Sequence, residues 1–513
     1  MRVGRGAPQL VSTPRSFVHR HQKFEMKIIL RLPLAAILIV TVLASAHASE
    51  HSSASSFFRQ AAIDDVEFAN RTLLENHPGA APEMQDAHFQ KMLQAAYVLA
   101  KDRAPEVNTA EGYLAVMSGF SNTLDDKHLS FKSALNVARL NWVGLIMTLR
   151  NGRWIVADED PWKGRLPLKG ATLVSCDGRS ADDVARERLG GFRADWSIPA
   201  QRTIAAPWLL IDESNPFFKP LKQCEFSTST GTRNIDLEWD SVWRDGIISR
   251  INAARGTGAA GYGVKRFGSG WWISIQEFTA KAPEVIEAAR AVHAELRSAP
   301  FVVFDVRGNG GGSSDLGDQL AAVLYGDSAV PPPDNCRSPW RVSPENQAHL
   351  ESYPRLLGDR LSPEARSDID QDIAAMRKAR ADGAAFSGPI TICSHKKPQQ
   401  HVAPRVYLLT DSVCFSSCLL VVERFRELGA VQVGSATNGN TNYEENRRVS
   451  LPSGLGTIGV QAKVELSHPS RVGPFEPDIP YDGDFGDTAA LQAWIAAKAT
   501  GEWTRIVVNH NRN

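Results

Sequence analysis

The spacing of hydrophobic residues changes twice along the chain. Residues 57–125 place apolar side chains at the three- and four-residue intervals typical of helices, with a break at His77-Pro78-Gly79. Residues 140–240 carry short β-like runs, a turn signal at Asp177-Gly178 and a helical pattern over 180–189. From residue 271 onwards, buried-strand patterns alternate with helical ones. This order predicts a helical segment, a small β-rich domain and an α/β core.

Within the last region, strands are predicted at 271–278, 301–306, 406–410 and 431–434, with helices between them. Strands that alternate with helices imply an open, partly parallel sheet. Two more β-like runs follow, at 448–451 and 456–465. Residues 327–400 differ, because they are Pro-rich and charged with a helical middle at 363–381, and they are interpreted as an inserted cap.

The N-terminal residues read as an export signal. Within residues 1–48, seven basic side chains and one acid precede the apolar run 32–44 and the small-residue site Ala46-His47-Ala48. This pattern is typical of a secretory signal peptide, and the apolar run is too short to cross a bilayer. An uncleaved membrane anchor stays open as the alternative. The predicted boundaries are 1–48 for the signal, 49–130 for the helical segment, 131–245 for the β-rich domain and 246–513 for the core.

Charge and motif content exclude several classes of function. Lys+Arg and Asp+Glu are both 57, so no basic excess marks a nucleic-acid binder. Neither C-x-x-C nor H-E-x-x-H occurs, and no metal or cofactor is expected. Residues 256–261 fit G-x-G-x-x-G, but a dinucleotide site needs a strand before the motif and a helix after it. The motif is therefore interpreted as a loop.

Six cysteines lie beyond the signal, and an even number in an exported chain indicates disulfide bonds. Fifteen connectivities are available. Nearest-neighbour pairing is the working prediction: Cys176–Cys224, Cys336–Cys393 and Cys414–Cys418.

Two strand ends in the core carry unusual residues. One strand runs into Arg307–Ser314, which includes four glycines, and another delivers Thr410–Cys418 directly into a helix. Ser416 at that helix start is either an N-cap or a nucleophile. In the second case, the backbone N–H groups at the helix start would stabilise the oxyanion that forms on the attacked carbonyl group. Glycines allow close approach of the backbone to a substrate, so the glycine loop is a source of a second N–H group.

Four motifs together resemble the C-terminal processing, or tail-specific, serine peptidases, which include the tricorn-core type. They are "LENHPG" leading to "LDDKHLSF", "FVVFDVRGNGGGSS", "VYLLTDSVCFSSCLL" continuing to "VGSATNGN", and "VSLPSGLG" followed by "FEPD". The resemblance implies a core of crotonase/ClpP-like β-α-β layers. Residues 131–245 resemble a PDZ domain, with some other small β-rich domain as the alternative.

The resemblance also implies site residues. Ser416 falls at the nucleophile position, with Ser417 as its competitor, and Asn440 stands where one subclass has a catalytic lysine. The other subclass uses a Ser–His–Glu triad, which assigns His128 as general base and Glu476 as its orienting carboxylate. Asp478 competes with Glu476, and a cysteine nucleophile next to Ser416 is a further alternative.

The expected activity is that of an exported serine endopeptidase, periplasmic or secreted, which acts on peptides or unfolded proteins. Gly311 and Ser417 would supply the oxyanion hole, with Gly310 as the nearest rival. The stretch Gly144, Leu145 and Ile146 is a candidate loop for a substrate's terminal carboxylate. No nucleic-acid partner and no membrane span after signal cleavage are expected. The alternative is a non-proteolytic ligand-binding protein of the same fold, like the retinoid-binding relatives.

Overall fold

A computed structural model describes residues 35–124, 126–160, 167–330, 337–358, 361–391, 404–466 and 471–501. Ala54–Asn513 form one unit and Met1–Ser53 another. Much of the predicted signal peptide, residues 1–34, lies outside the described residues, and of residues 35–53 only the helical backbone is described. In the described part of the chain, no helix combines the length and the apolar character needed to cross a membrane.

The N-terminal segment is helical, as the spacing predicts. Its helices are α1 (Ala35–Asn76), α2 (Ala87–Arg103) and α3 (Ala110–Thr123). The His-Pro-Gly break ends α1, and a 3-10 turn at Pro78–Ala80 follows. Side-chain caps start the next two helices, because Asp86 accepts a hydrogen bond from Phe89 N–H and Thr109 accepts one from Gly112 N–H.

The middle region is mostly antiparallel sheet. Its strands are β1 (Phe131–Ser133), β2 (Arg139–Trp142), β3 (Leu145–Arg150), β4 (Arg153–Glu159), β5 (Thr172–Cys176), β6 (Arg179–Ser180), β7 (Ile211–Asp212), β8 (Gln223–Thr228), β9 (Gly231–Asp236) and β10 (Asp240–Trp243). Its helices are α4 (Ala181–Leu189), α5 (Pro199–Ala205) and α6 (Arg244–Ala254). One sheet has the order β3-β4-β5-β8-β9 and a second has β10-β2-β7. The turn predicted at Asp177-Gly178 is present, with both residues at positive φ.

The remaining chain forms the α/β core. Its strands are β11 (Tyr262–Phe267), β12 (Gly270–Ile275), β13 (Phe301–Asp305), β14 (Arg405–Thr410), β15 (Val431–Gly434), β16 (Asn440–Thr441), β17 (Tyr443–Glu444), β18 (Arg447–Ser450), β19 (Gly456–Val460), β20 (Lys463–Val464), β21 (Arg471–Val472) and β22 (Ile479–Pro480). Its helices are α7 (Ala282–Ala291), α8 (His293–Ser298), α9 (Ser314–Tyr325), α10 (Pro344–Leu357), α11 (Pro363–Ala381), α12 (Ser417–Glu427) and α13 (Thr488–Gly501).

The central sheet of this core has the order β11-β12-β13-β14-β15-β22. The neighbouring strands β12, β13, β14, β15 and β22 are parallel to one another, and β11 pairs antiparallel with β12 at one edge. The open, partly parallel sheet is therefore confirmed. The sequence pattern assigns no strand to residues 262–267, because the glycine at 263 weakens a β signal there and the cross-strand pairing that holds β11 is not local.

Both faces of the sheet are covered. Ile273, Phe304 and Leu408 belong to a core shared with α7, α9 and α12. Their neighbours in sequence point to the opposite face, where residues of α13 such as Leu491 complete a second core. Strands buried on both faces read as continuous apolar runs rather than alternating ones, which is the pattern at 301–306.

A strand pairing outside the central sheet positions the functional residues. Strand β1, which directly follows the N-terminal segment, pairs antiparallel with β19, with Phe131 opposite Ile458. This pairing attaches residues 126–133 to the core.

The predicted inserted cap contains α10 and α11. Leu350 of α10 and Met376 of α11 pack with Trp340 in a small core of their own.

Candidate active site

Ser416 lies in the sharp turn between β14 and α12. Its backbone has φ 57° and ψ −130°, and its side chain caps no helix N–H group. A non-glycine residue at positive φ stores on the order of 1–3 kcal/mol of strain and persists only when its surroundings enforce it. The N-cap interpretation is therefore wrong, and the turn presents the hydroxyl group at a helix N-terminus.

A disulfide bond encloses this turn. Cys414 and Cys418 are bonded to each other, with their Cα atoms 5.4 Å apart, and both side chains are fully buried. A buried, bonded sulfur is not available as a nucleophile. The bond leaves the half-buried hydroxyl group of Ser416 between two cross-linked positions.

The glycine loop that follows β13 packs against Ser416. Asn309 organises it, because its side chain accepts a hydrogen bond from Gly311 N–H at 2.9 Å and its carbonyl accepts one from Phe415 N–H at 3.3 Å. Gly311 has φ 112°, and a Cβ atom there would lie 2.9 Å from the Cβ of Ser416. Only glycine allows this close approach.

Asp411 anchors two loops beneath the site. Its buried carboxylate accepts hydrogen bonds from the N–H groups of Gly258 at 3.1 Å and Gly308 at 3.0 Å. Burial raises the pKa of Asp411 to about 7. The G-x-G-x-x-G segment at residues 256–261 is thus a structural loop, as predicted. The hydrogen bond from Gly258 to Asp411 connects it to the segment that carries Ser416.

His128 reaches Ser416 from the N-terminal segment. Its Nε2 lies 3.4 Å from Ser416 Oγ, and its ring lies against that of Phe415 with centroids 4.7 Å apart. Its carbonyl accepts a hydrogen bond from the Asn446 side chain at 2.7 Å. The β1–β19 pairing and this bond hold the histidine backbone against the core. The structure therefore brings together two of the three predicted triad residues.

The other imidazole nitrogen faces Asp126. His128 Nδ1 lies 2.8 Å from Asp126 Oδ1, and the same oxygen accepts a hydrogen bond from His128 N–H at 2.8 Å. The second oxygen accepts hydrogen bonds from the Thr441 hydroxyl and from Gln461 Nε2. Burial alone would raise the pKa of Asp126, but the His128 charge and these hydrogen bonds outweigh it and lower the pKa to about 2. The carboxylate is ionised at neutral pH.

A further histidine extends this network. Gln461 Oε1 lies 3.1 Å from His77 Nε2, and His77 Nδ1 accepts a hydrogen bond from Gly79 N–H. Complete burial lowers the pKa of His77 to about 4, so its ring stays neutral. Because Nδ1 is the acceptor, the proton is on Nε2 and is donated to Gln461. This fixes the amide so that its nitrogen faces Asp126.

The pKa of His128 reflects two opposing effects. Burial is the largest and lowers it, whereas the charge of Asp126 and its hydrogen bond together raise the pKa above its ordinary value. The side chain of Asn440 lies close enough to contribute to the rise. Asn440 therefore stands beside His128, and no amine is present at that position to act as a base.

Glu476 is not in the position that the sequence predicts. In the described part of the chain His128 has no hydrogen bond to Glu476, whose side chain is exposed and lines a cleft with Ser412 and Ser435. Asp478 is also remote, since it accepts a hydrogen bond from Gln432 N–H. We correct the assignment: the carboxylate beside His128 is Asp126. The prediction was wrong because the motif order gives only the place of F-E-P-D along the chain. In the structure this segment leads into β22, which lies at the edge of the central sheet.

The oxyanion-hole prediction also needs revision. Gly311 N–H is engaged by the Asn309 side chain, so it is not directed at a substrate. Among the described residues, no hydrogen bond engages the N–H groups of Gly310 or Ser417. Ser417 Oγ donates to the Gly312 carbonyl at 2.6 Å, which turns the hydroxyl of the competing serine away from the nucleophile position. Gly310 and Ser417 are the donors that remain.

The predicted carboxylate loop is closed. Gly144, Leu145 and Ile146 are all buried, and the Gly144 carbonyl accepts a hydrogen bond from Asp160 N–H at 2.8 Å. These residues pack into the core of the β-rich domain instead of lining an open groove. The assignment of a substrate-binding surface to them is wrong.

The cysteine pairing is confirmed where the structure describes it. Cys176 bonds to Cys224 between β5 and β8, and Cys414 bonds to Cys418. The third predicted pair, Cys336–Cys393, lies outside the described residues. Within the described residues, no group of His, Cys, Asp and Glu side chains has a metal-binding arrangement.

Sequence reasoning missed Asp126, Thr441, Gln461 and His77. Two of these had a signal, because Asp126 precedes His128 by two residues in "LDDKHLSF" and His77 belongs to "LENHPG". Thr441 and Gln461 had none, since their contacts with Asp126 span more than 300 positions, 315 and 335 respectively.

Known proteins provide independent comparisons. Residues 272–470 match the family model described as Peptidase family S41. No curated protein matches the sequence. A crystal structure of mature CPAF superposes with a TM-score of 0.57 at 14% identity, covering 86% of this chain and 98% of that chain. Mature CPAF complexed with lactacystin gives a TM-score of 0.54 at 14% identity, with 86% and 99% coverage. At this identity the structural likeness shows a shared fold.

The family match covers β12 through β20, the glycine loop and Ser416, while His128 and Asp126 lie before it. The order of motifs, the family match and the shared fold agree with one another. We conclude that the chain is a serine-type peptidase whose residues 272–470 match Peptidase family S41.

Proposed function

We propose that the protein is an exported endopeptidase in which Ser416, His128 and Asp126 form the catalytic triad. The observation that carries the proposal is the 3.4 Å separation of Ser416 Oγ and His128 Nε2, with Asp126 on the opposite ring nitrogen. This is the order of nucleophile, base and orienting carboxylate that acyl transfer requires. A separation of 3.4 Å is typical of a site without substrate and shortens in the reacting complex.

Each group has one task in the reaction. His128 removes the proton from Ser416 Oγ as the oxygen attacks the peptide carbonyl carbon. The oxyanion receives hydrogen bonds from the N–H groups of Gly310 and Ser417. His128 then gives its proton to the leaving amine, the C–N bond breaks and an acyl-enzyme remains. Water, deprotonated by His128, releases the acid and regenerates the serine.

Asp126 supports this cycle without taking a proton. Its charge holds the proton of neutral His128 on Nδ1, which leaves Nε2 free to accept the serine proton. It also stabilises the imidazolium ion that forms next. Thr441 and Gln461 hold the carboxylate in place, so they act as positioning residues.

The PDZ-like character of the β-rich domain stays a prediction, and so does its recognition of a substrate's terminal carboxylate. With Gly144–Ile146 buried, any such recognition uses other residues of that domain. Export is supported by the N-terminal sequence and by the two described disulfide bonds, since such bonds persist in oxidising compartments.

The test is labelling by a fluorophosphonate probe together with hydrolysis of casein. Ser416→Ala should lose both, with an unchanged melting temperature, because the hydroxyl group makes no cap contact. Ser417→Ala is the matched control, one residue away, and should keep labelling and hydrolysis. Labelling that survives in Ser416→Ala and disappears in Ser417→Ala would contradict the assignment of the nucleophile.

A further inference from the structure

A pocket is lined in part by Ser412, four residues before Ser416. Its inner part has a volume of about 90 Å³ and opens into an outer cleft of about 270 Å³. The wall of the inner part combines Thr148 and Arg150 of the β3–β4 hairpin with Ser412 after β14, Ser435 after β15 and Tyr481 after β22. The catalytic residues Ser416, His128 and Asp126 are not among its lining residues.

Arg255 is the unusual member of this pocket. It follows α6 and is partly buried, and its side chain makes no hydrogen bond or ion pair with any described residue. Its Nε atom has no solvent exposure, and burial lowers the pKa of its guanidinium group. A partly buried cation without a partner costs free energy, so proteins normally supply a counter-charge.

The rest of the wall offers donors rather than a counter-charge. None of the residues that line the inner pocket is acidic, and Arg150 is paired outside it with Asp484 at 2.9 Å. Thr148 is almost completely buried, and its hydroxyl group has no partner in the described structure. Thr203, Ser412, Ser435 and Tyr481 add further hydroxyl groups around the same space.

A second unpaired arginine lines the outer cleft. The side chain of Arg202 in α5 has no hydrogen bond or ion pair within the described residues and its buried Nε is unsatisfied, although its guanidinium group lies 5.8 Å from the centre of the Trp196 ring. The walls beside it are largely apolar, with Leu149, Pro199, Pro477 and Pro480. The one acidic residue of the outer cleft is Glu476, whose side chain is exposed.

We propose that this pocket binds a small oxyanion, a phosphate or a carboxylate, between Arg255 and the surrounding hydroxyl groups. Such an anion neutralises the unpaired guanidinium group and accepts hydrogen bonds from Arg255 Nε and the Thr148 hydroxyl, which have no other partner in the described structure. The outer cleft leaves space for an apolar group attached to a carboxylate. Free phosphate and the terminal carboxylate of a peptide are both compatible with this chemistry.

Occupancy would join two parts of the molecule. Thr148 and Arg150 belong to the β-rich domain, whereas Ser412 and Ser435 belong to the catalytic core. Ser412 follows Asp411, the residue that anchors the loops beneath Ser416. An anion in the pocket therefore stabilises the folded protein at the boundary between its β-rich domain and its core.

Thermal denaturation tests the proposal without depending on peptidase activity. We expect sodium phosphate, at ionic strength held constant with NaCl, to raise the melting temperature saturably by about 2–5 °C. N-acetyl-leucine and its amide form the second arm. A rise with N-acetyl-leucine and none with the amide assigns the pocket to a peptide's terminal carboxylate, and a rise with phosphate alone assigns it to a free anion.

Arg255→Gln should abolish the rise, and it should fold well because it removes an uncompensated charge. Arg290→Gln on the exposed face of α7 is the matched control and should keep the full effect. Thr148→Val, which removes the unpaired hydroxyl group at similar volume, should weaken binding several-fold. The proposal is overturned if neither phosphate nor N-acetyl-leucine shifts the wild-type protein, or if the shift persists in Arg255→Gln.

Discussion

Asp126 is the residue on which the chemistry of His128 depends. Its side chain has no exposed surface and accepts four hydrogen bonds, two of them from His128. Asp126→Asn keeps the size of the side chain but removes its charge. We expect kcat/KM for casein hydrolysis to fall on the order of 10²–10⁴-fold, because the tautomer and the imidazolium ion both lose their support.

Glu476→Gln is the matched control for that substitution, because it makes the same chemical change at the carboxylate that the sequence motif suggested. It should leave kcat/KM within about twofold of wild type, since Glu476 makes no contact with His128. If Glu476→Gln were the damaging variant and Asp126→Asn the harmless one, the triad described above would be wrong.

The pH dependence of activity follows from the same residue pair. His128 acts as a base only when neutral, and Asp126 raises its pKa above the ordinary value near 6.5. Activity should therefore be lost as pH falls through a value above 6.5. In Asp126→Asn the lowering effect of burial loses its largest opposing effect, so the residual activity should titrate at a lower pH than in wild type. A full kcat/KM profile of both proteins measures the difference, and an unshifted limb would contradict the pairing.

At the scale of elements, the glycine loop and the nucleophile turn restrain each other. Gly311→Ala places a methyl group 2.9 Å from the Cβ of Ser416 and requires φ 112°, which alanine rarely adopts. We expect a loss of about 1–3 kcal/mol in the free energy of unfolding and a fall in kcat of more than about 100-fold.

Gly310→Ala is the control for this substitution, since a Cβ atom there meets nothing within 4 Å and the backbone N–H group is retained. Its stability should stay within about 0.5 kcal/mol of wild type in urea denaturation. Equal stability loss in both variants would mean that the close approach at Gly311 does not restrain the turn.

Elements whose causes are local follow well from the sequence. The observed α11 has the predicted bounds, Pro363–Ala381, because Ser362 caps it and its proline suits a first turn. The break after Asn76 and the turn at Asp177-Gly178 also depend on residues adjacent in sequence. By contrast, Asp126 is held beside His128 by hydrogen bonds from Thr441 and Gln461, which lie more than 300 residues later. A sequence motif gives the order of residues along the chain and does not show such distant contacts.

At the scale of the whole molecule, the disulfide bonds bear on where the protein functions. Cys176, Cys224, Cys414 and Cys418 are paired, so alkylation of protein from its native compartment should modify none of them before reduction. Peptide mass spectrometry measures this directly, and it should also find a mature N-terminus near Ser49. Free thiols at these four positions would contradict export into an oxidising compartment.

The residues of the proposed active site are widely separated in sequence, because His128 and Ser416 are 288 positions apart and the positioning residue Gln461 follows later still. During translation, the ribosome therefore makes the base and its carboxylate long before the nucleophile and the residues that hold them together. An unfinished chain has no assembled triad to cleave itself or its neighbours. The proposed active site can therefore form only when most of the chain has been synthesised and folded.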